Sequence, residues 1–180
     1  MTRKIAIDSN ALTFLVDAMM GRYNPKNDSE DLLLQKVSLL RIFIYCGTQF
    51  YVLPTVEMEY KRIKNVIKLE EHKSICEALL FDGIFIPDEI LTNIMIDKYS
   101  KKHTGLNDCK ILAEANQLEV ETLLTYDFDF YNNLRTHSDS VTLAIPSEYW
   151  NSLYLPVGTS PIWSPHESNP LSKQTWWVLE

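Results

Sequence analysis

The stretch "RKIAIDSNAL", Arg3–Leu12, decides how the rest of the chain is read. Ile5, Ala6 and Ile7 make an apolar run with no alternation, the pattern of a strand buried on both faces. The run ends in Asp8, with Ser9 and Asn10 behind it. A carboxylate leaving a buried strand needs a reason. It caps a helix, joins a charge pair, or serves as a ligand. From Asn10 to Met20 the spacing turns helical, with Leu12, Leu15, Val16 and Met19 on one stripe.

The same alternation continues outward. The segment "GRYNPKND" is a loop by its Gly, Pro and Asn content. Ser29, Glu30 and Asp31 supply an N-cap and an acidic first turn for a helix running through Tyr45, and Gly47 stands where it should end. "QFYVLP" is a second strand, closed by Pro54. One long helix is expected over Thr55–Leu80, then "GIFIP" as an apolar connector or strand, then a helix over Asp88–Lys102. After the break "HTGL", a helix covers Asn107–Gln117, "VETLLTY" forms a strand, Phe128–Leu134 a short aromatic helix, and "VTLAI" a strand. "PSEYWNSL" is one last short helix. Strands that alternate with helices predict an α/β fold: three layers, a mainly parallel central sheet flanked by helices, and a C-terminal arm. In such sheets ligands gather at the carboxyl ends of the strands, where Asp8 and Asp127 fall.

The expected division is a domain over residues 1–155 and a Pro- and Trp-containing arm over residues 156–180. Trp163, Trp176 and Trp177 carry too much apolar area to stay in water, so the arm should dock on its own domain, on a second copy or on a partner. Composition narrows the function classes. Of 180 residues, 46% are hydrophobic and 23% charged, which suits a packed core. The formal net charge of −7 excludes binding of nucleic acid by global basicity, so such chemistry needs a local basic rim or a metal. Nothing approaches the roughly 20 apolar residues of a membrane span. Arg3 and Lys4 lead straight into the first strand, so no signal peptide is expected. Cys46, Cys76 and Cys109 lack paired spacing and read as reduced thiols of a cytoplasmic protein.

Four acids belong together: Asp8, Glu59, Asp108 and Asp127. Three lie just past a strand or in the first turns of a helix. Converging carboxylates raise one another's pKa unless a cation joins them. Oxygen-only ligands favour Mg²⁺ or Mn²⁺, ions that polarise phosphoryl oxygens and activate water. Each acid also has a plainer role. Asp8 would cap a helix, Asp108 would favour a helix N-terminus with Asn107 as its cap, Glu59 would be a solvated charge, and Asp127 and Asp129 would be turn residues.

With these pieces in view, the chain resembles the PIN-domain ribonucleases, the fold of VapC-like toxins and of RNA-processing nucleases. The resemblance is carried by "IAIDSNAL", "VLPTVEMEY", "IPDEILTNIMIDKYSKKHTGLNDCKILAEANQ" and "ETLLTYDFDF", and runs from about Lys4 to about Ile145. It implies that Asp8, Glu59, Asp108 and Asp127 are catalytic and hold Mg²⁺ or Mn²⁺, with Asp129 nearby. It implies that Asn10 and Thr125 support the first and fourth acids. The activity it implies is endoribonuclease cleavage of RNA phosphodiester bonds, with an antitoxin, another protein or a second copy as partner and no membrane. Glu57 competes with Glu59 for the second position, and the distance from Pro54 favours Glu59. Cys109-Lys110 stands where the family often has small residues. Two other readings remain. One is a PIN-like protein-interaction module with weak or no catalysis. The other is a phosphatase of the haloacid dehalogenase type, in which Asn10 would replace a second Asp.

The remaining chemistry-bearing residues carry less. His72, His103, His137 and His166 have no ligand-like spacing and read as surface or satisfied histidines. Lys61, Arg62, Lys64, Lys68, Lys98, Lys101 and Lys102 would form a basic rim or simply a solvated face. The aromatics of "YDFDFYNNL" are expected in the core.

Overall fold

A computed structural model of the chain describes residues 3–80 and 85–179. Its sheet has four strands, β1 (Lys4–Ile7), β2 (Gln49–Val52), β3 (Thr122–Leu124) and β4 (Thr142–Ala144), in the order β2-β1-β3-β4. Every pairing is parallel: Ile7 lies opposite both Val52 and Leu124, and Leu124 opposite Ala144. Ile5, Ala6 and Ile7 are fully buried, as a central strand covered on both faces requires.

Around the sheet lie α1 (Ser9–Met19), α2 (Glu30–Cys46), α3 (Pro54–Tyr60), α4 (Val66–Leu79), α5 (Glu89–Tyr99), α6 (Leu106–Gln117), α7 (Phe128–Leu134) and α8 (Pro146–Ser152). The chain steps from β1 to β2 on one side, then crosses to β3 on the other. Right-handed crossovers therefore put α1 and α2 on one face and α3, α5, α6 and α7 on the opposite face. The packing agrees: α2 lies against α1 and α8, and α6 against α3 and α5. The direction of travel reverses between β1 and β3, so the crevice beyond their carboxyl ends is the topological switch point.

Local chemistry sets the helix ends. Ser29 Oγ accepts from Leu32 N–H and starts α2, while Gly47 ends it with φ of 56°, a left-handed conformation that glycine adopts without a Cβ clash. The single helix expected over Thr55–Leu80 is two. After Tyr60 the chain turns, and the Asn65 side chain accepts from Lys68 N–H to cap α4. The Lys- and Glu-rich composition continues through that turn, so periodicity alone passed over it. The helix expected to Lys102 ends at Tyr99, with Asp88 as its cap. The expected connector Gly83–Pro87 falls partly outside the described residues, and Phe85–Pro87 carries no regular structure.

The arm packs back on α2. Ile162 and Trp163 N–H groups donate to Ile44 C=O, and Trp163 meets Phe43 edge-on. Arg41 donates to the carbonyls of Trp177 and Val178 at 3.1 and 2.8 Å, and Trp176 stacks on Tyr23 at 4.6 Å. Leu171 and Trp177 are buried and join the core. Cys46, Cys76 and Cys109 are free thiols. No helix among the described residues is long and apolar enough to cross a membrane.

Candidate functional site

Asp8 leaves β1 and at once caps α1. Its Oδ1 accepts from Ala11 N–H at 2.6 Å, and its Oδ2 accepts from the Thr125 hydroxyl. Thr125 leaves β3 directly alongside, since Asp8 N–H donates to Leu124 C=O at 3.0 Å. The Thr125 oxygen also accepts from Asp127 N–H at 3.0 Å. One fully buried hydroxyl thus ties the first acid to the fourth across the switch point. Asp127 in turn caps α7, accepting from Phe130 N–H at 2.9 Å.

The other two acids come from α3 and α6. Glu59, on the last turn of α3, accepts from the Ser9 hydroxyl on α1 and from Asn107 Nδ2 on α6 at 2.5 Å. It is a bridge between three helices, not a solvated charge. Glu57 points elsewhere and pairs with Lys61 on its own helix. Asp108, in the first turn of α6, accepts from His103 Nε2 at 2.7 Å, while Asn133 Nδ2 donates to His103 Nδ1 at 3.3 Å. The cap of α6 is Gly105, where Asn107 was expected. A Cβ on Gly105 would stand 2.2 Å from Asp108 Oδ2 and 2.6 Å from His103 Nε2, so the pair exists only because that side chain is missing.

These groups feel one another. Burial pushes the Asp8 carboxyl up to about 7, and the charges of Asp108 and Asp127 add to the rise, against the hydrogen bonds from Thr125 and Ala11. Burial also raises Asp108, which His103 lowers and Asp127 and Glu59 raise further. The four acids therefore share one electrostatic neighbourhood. Two supporting residues divide: Thr125 holds Asp8, whereas Asn10 makes no hydrogen bond to it and lies exposed with Asp129 at the mouth of a cleft beside Asp127.

Two residues of this region escaped the sequence reading. His103 was grouped with satisfied histidines. It is satisfied, but by Asp108 and Asn133, inside the site. Glu114 is fully buried and accepts from the backbone N–H and hydroxyl of Thr55, at 3.0 and 2.7 Å. It caps α3 from α6 and so fixes the helix that carries Glu59. Burial raises its pKa. No local pattern reveals this cap, because its partner is 59 residues away.

The donor set suits a hard divalent ion: several carboxylates, no thiolate, one imidazole already engaged. The side chains are turned to hydrogen-bond partners. Among the described residues no group of three or more His, Cys, Asp or Glu stands ready to hold a metal ion. Ligation would require Asp8, Asp108 and Asp127 to exchange those partners for the ion. Around the site, Arg62 and Lys64 follow α3, and Lys101 and Lys102 precede His103; all four are exposed. Lys61 and Lys98 of the expected rim are paired, with Glu57 and Asp139. No protein-family model matches the chain, and no curated protein matches it.

Proposed function

We propose that the chain is a PIN-like, metal-dependent endoribonuclease. The observation that carries this reading is the meeting of Asp8, Glu59, Asp108 and Asp127 at the strand-order reversal. There burial raises Asp8 to about 7 and also raises Asp108, and the charges of the neighbouring acids add to both shifts. Burying carboxylates side by side costs stability. A site that keeps them has a use for a cation. Asp8, Asp108 and Asp127 would hold Mg²⁺ or Mn²⁺, with Glu59 and Asp129 within the same acidic rim. The ion would supply Lewis acidity and an activated water for attack on phosphorus. Thr125 orients Asp8, and Asn107 and Ser9 orient Glu59. Arg62, Lys64, Lys101 and Lys102, which form no ion pair among the described residues, would offer positive charge to an RNA backbone along the edge of the acidic crevice.

The test is cleavage of a pool of structured and single-stranded RNAs with Mn²⁺ or Mg²⁺. Asp8→Asn and Asp108→Asn should each lower cleavage at least a hundredfold while leaving the circular dichroism spectrum unchanged. A wild-type protein that cleaves nothing with either metal rejects the reading.

One observation favours a second function, protein interaction. Ile90 and Ile94 lie one turn apart on α5 and are 75% and 58% exposed, and Ile86, just ahead of the helix, is 90% exposed, so the three make an apolar stripe on the surface. Such a stripe suits a protein partner, an antitoxin or another subunit. It is compatible with catalysis and does not require it.

A further inference from the structure

A cleft of about 450 Å³ opens beside Asp127, lined by Asn10, Phe14, Tyr126, Asp127, Phe128 and Asp129. Three aromatic rings build one wall. Phe14 meets Tyr126 edge-on at 5.2 Å, and Tyr126 meets Phe128 edge-on at 5.6 Å. The Tyr126 ring is fixed at its far end, where its hydroxyl donates to Asp31 Oδ2 at 2.5 Å. Phe130, two residues on, is fully buried, but Phe128 is 49% exposed. The expectation that the aromatics of this segment belong to the core therefore fails at Phe128. Phe128 is thus half open to solvent where it lines the cleft, against a ring that is itself held in place.

The polar wall is dominated by carboxylate acceptors, with the Asn10 amide beside them. Asp127 and Asp129 line the cleft with Asn10, and neither the Asp129 nor the Asn10 side chain has a hydrogen bond or ion pair among the described residues. This wall repels phosphate. It accepts N–H donors. A flat ring with N–H groups on its edge satisfies both walls at once, stacking on Phe128 and donating to Asp129. Guanine fits best among the common bases, because its N1–H and N2–H₂ lie side by side and match the two oxygens of one carboxylate.

From this arrangement we propose that the cleft is a nucleobase subsite that seats an unpaired base, guanine foremost, next to the acidic crevice. The proposal rests on the nuclease reading, because Asp127 lines the cleft and also belongs to the four acids. A base held here would put its own phosphate over the acids, and single-stranded RNA would be the substrate class.

The probe is guanosine, which carries no phosphate and needs no metal, followed by saturation-transfer NMR. Wild type should bind guanosine in preference to uridine. Phe128→Ala should weaken binding by at least about fivefold, and Phe128→Trp should restore it, as base–aromatic stacking predicts. Asp129→Asn should erase the preference for guanosine while retaining stacking. RNA cleavage is measured on the same proteins. Absence of guanosine binding to wild type at millimolar concentration overturns the subsite, as does equal binding by Phe128→Ala. If RNA cleavage persists in either case, the nuclease reading stands without the subsite. Guanosine binding that depends on Phe128 in a protein that cleaves no RNA rejects the nuclease and keeps the nucleobase site.

Discussion

Helix α1 carries an acid at each end, and the two ends are treated in opposite ways. Near its C-terminus, Asp17 accepts from Arg22 at 2.9 Å, and Arg22 also forms a two-pronged pair with Glu71 at 2.7 and 2.9 Å. The buried Lys36 joins in, 2.8 Å from Asp28 and 3.8 Å from Asp17. Three acids there meet two cations. At the N-terminus, Asp8 shares its neighbourhood with Asp108 and Asp127, and Asp108 also feels Glu59. The nearest compensation is hydrogen bonding from Thr125, Ala11 and His103. The first group behaves as architecture: its Glu71 is held below the usual glutamate range by Arg22. The second group stays costly until something positive arrives. That difference within a single helix separates a structural charge network from the proposed site.

Breaking each end should therefore have opposite signs. Lys36→Ala would leave Asp28 partly buried without its cation and Asp17 with Arg22 alone, and should cost about 3 kcal/mol in chemical denaturation. Asp8→Asn removes a buried charge but keeps the shape. Its oxygen still accepts from Ala11, and the Thr125 hydroxyl turns to accept from its amide. In metal-free buffer at pH 8 it should stabilise the fold by roughly 2–4 kcal/mol, from the cost of ionising a group whose pKa has been raised.

The pH profile sharpens the contrast. Folded Asp8 binds its proton up to about pH 7, whereas the unfolded chain releases it in the ordinary aspartate range. Between those limits the folded state holds more protons. Its contribution is thus fully present at low pH and is lost as pH rises through about 7. Glu71 runs the other way. Its pKa is depressed, so its contribution is present above the ordinary glutamate range and disappears as pH falls through the lowered value. Metal-free wild type should be most stable at mildly acidic pH, and Asp8→Asn should flatten only the alkaline side. Thermal unfolding at a series of pH values reads this directly. Equal loss on the alkaline side in both proteins would remove Asp8 from the account.

Smaller effects test how the site is held together. Gly105→Ala drives a methyl group into Asp108 and His103, and should cost about 1–2 kcal/mol while separating the pair. The loss should be visible as a change in the His103 ring resonances by NMR. The smallest difference distinguishes two glutamates on α3. Glu57→Gln touches an exposed pair with Lys61 and should change stability by less than about 0.5 kcal/mol, with no effect on cleavage. Glu59→Gln disturbs the bridge to Ser9 and Asn107 and should lower cleavage at least tenfold. The reverse result would make Glu57 the site acid.

Much of this was legible because it is local. Ile5–Ile7 followed by Asp8 gave the central strand and its exit acid, and Ser29 and Gly47 marked both ends of α2. The parallel sheet and the position of Asp8 beside Asp127 followed from alternation of strands and helices. What escaped was mostly long-range or steric. The turn between α3 and α4 hides in a continuous charged pattern, and only the cap at Asn65 betrays it. Glu114 looks like one more helical glutamate until α6 is laid against α3. Gly105 was read as a helix breaker, but its φ is ordinary and its reason is the space it leaves for Asp108. Phe128 and Phe130 are indistinguishable by composition, yet one faces the core and the other water.

The most direct test of the uncompensated acids is calorimetric titration of Mn²⁺ into the metal-free protein at pH 7.5, repeated with Asp8→Asn. The account predicts saturable binding to wild type at millimolar metal or below, with proton release as Asp8 ionises, and at least tenfold weaker binding to the variant. No binding to wild type at millimolar Mn²⁺, or equal binding to both proteins, would contradict it.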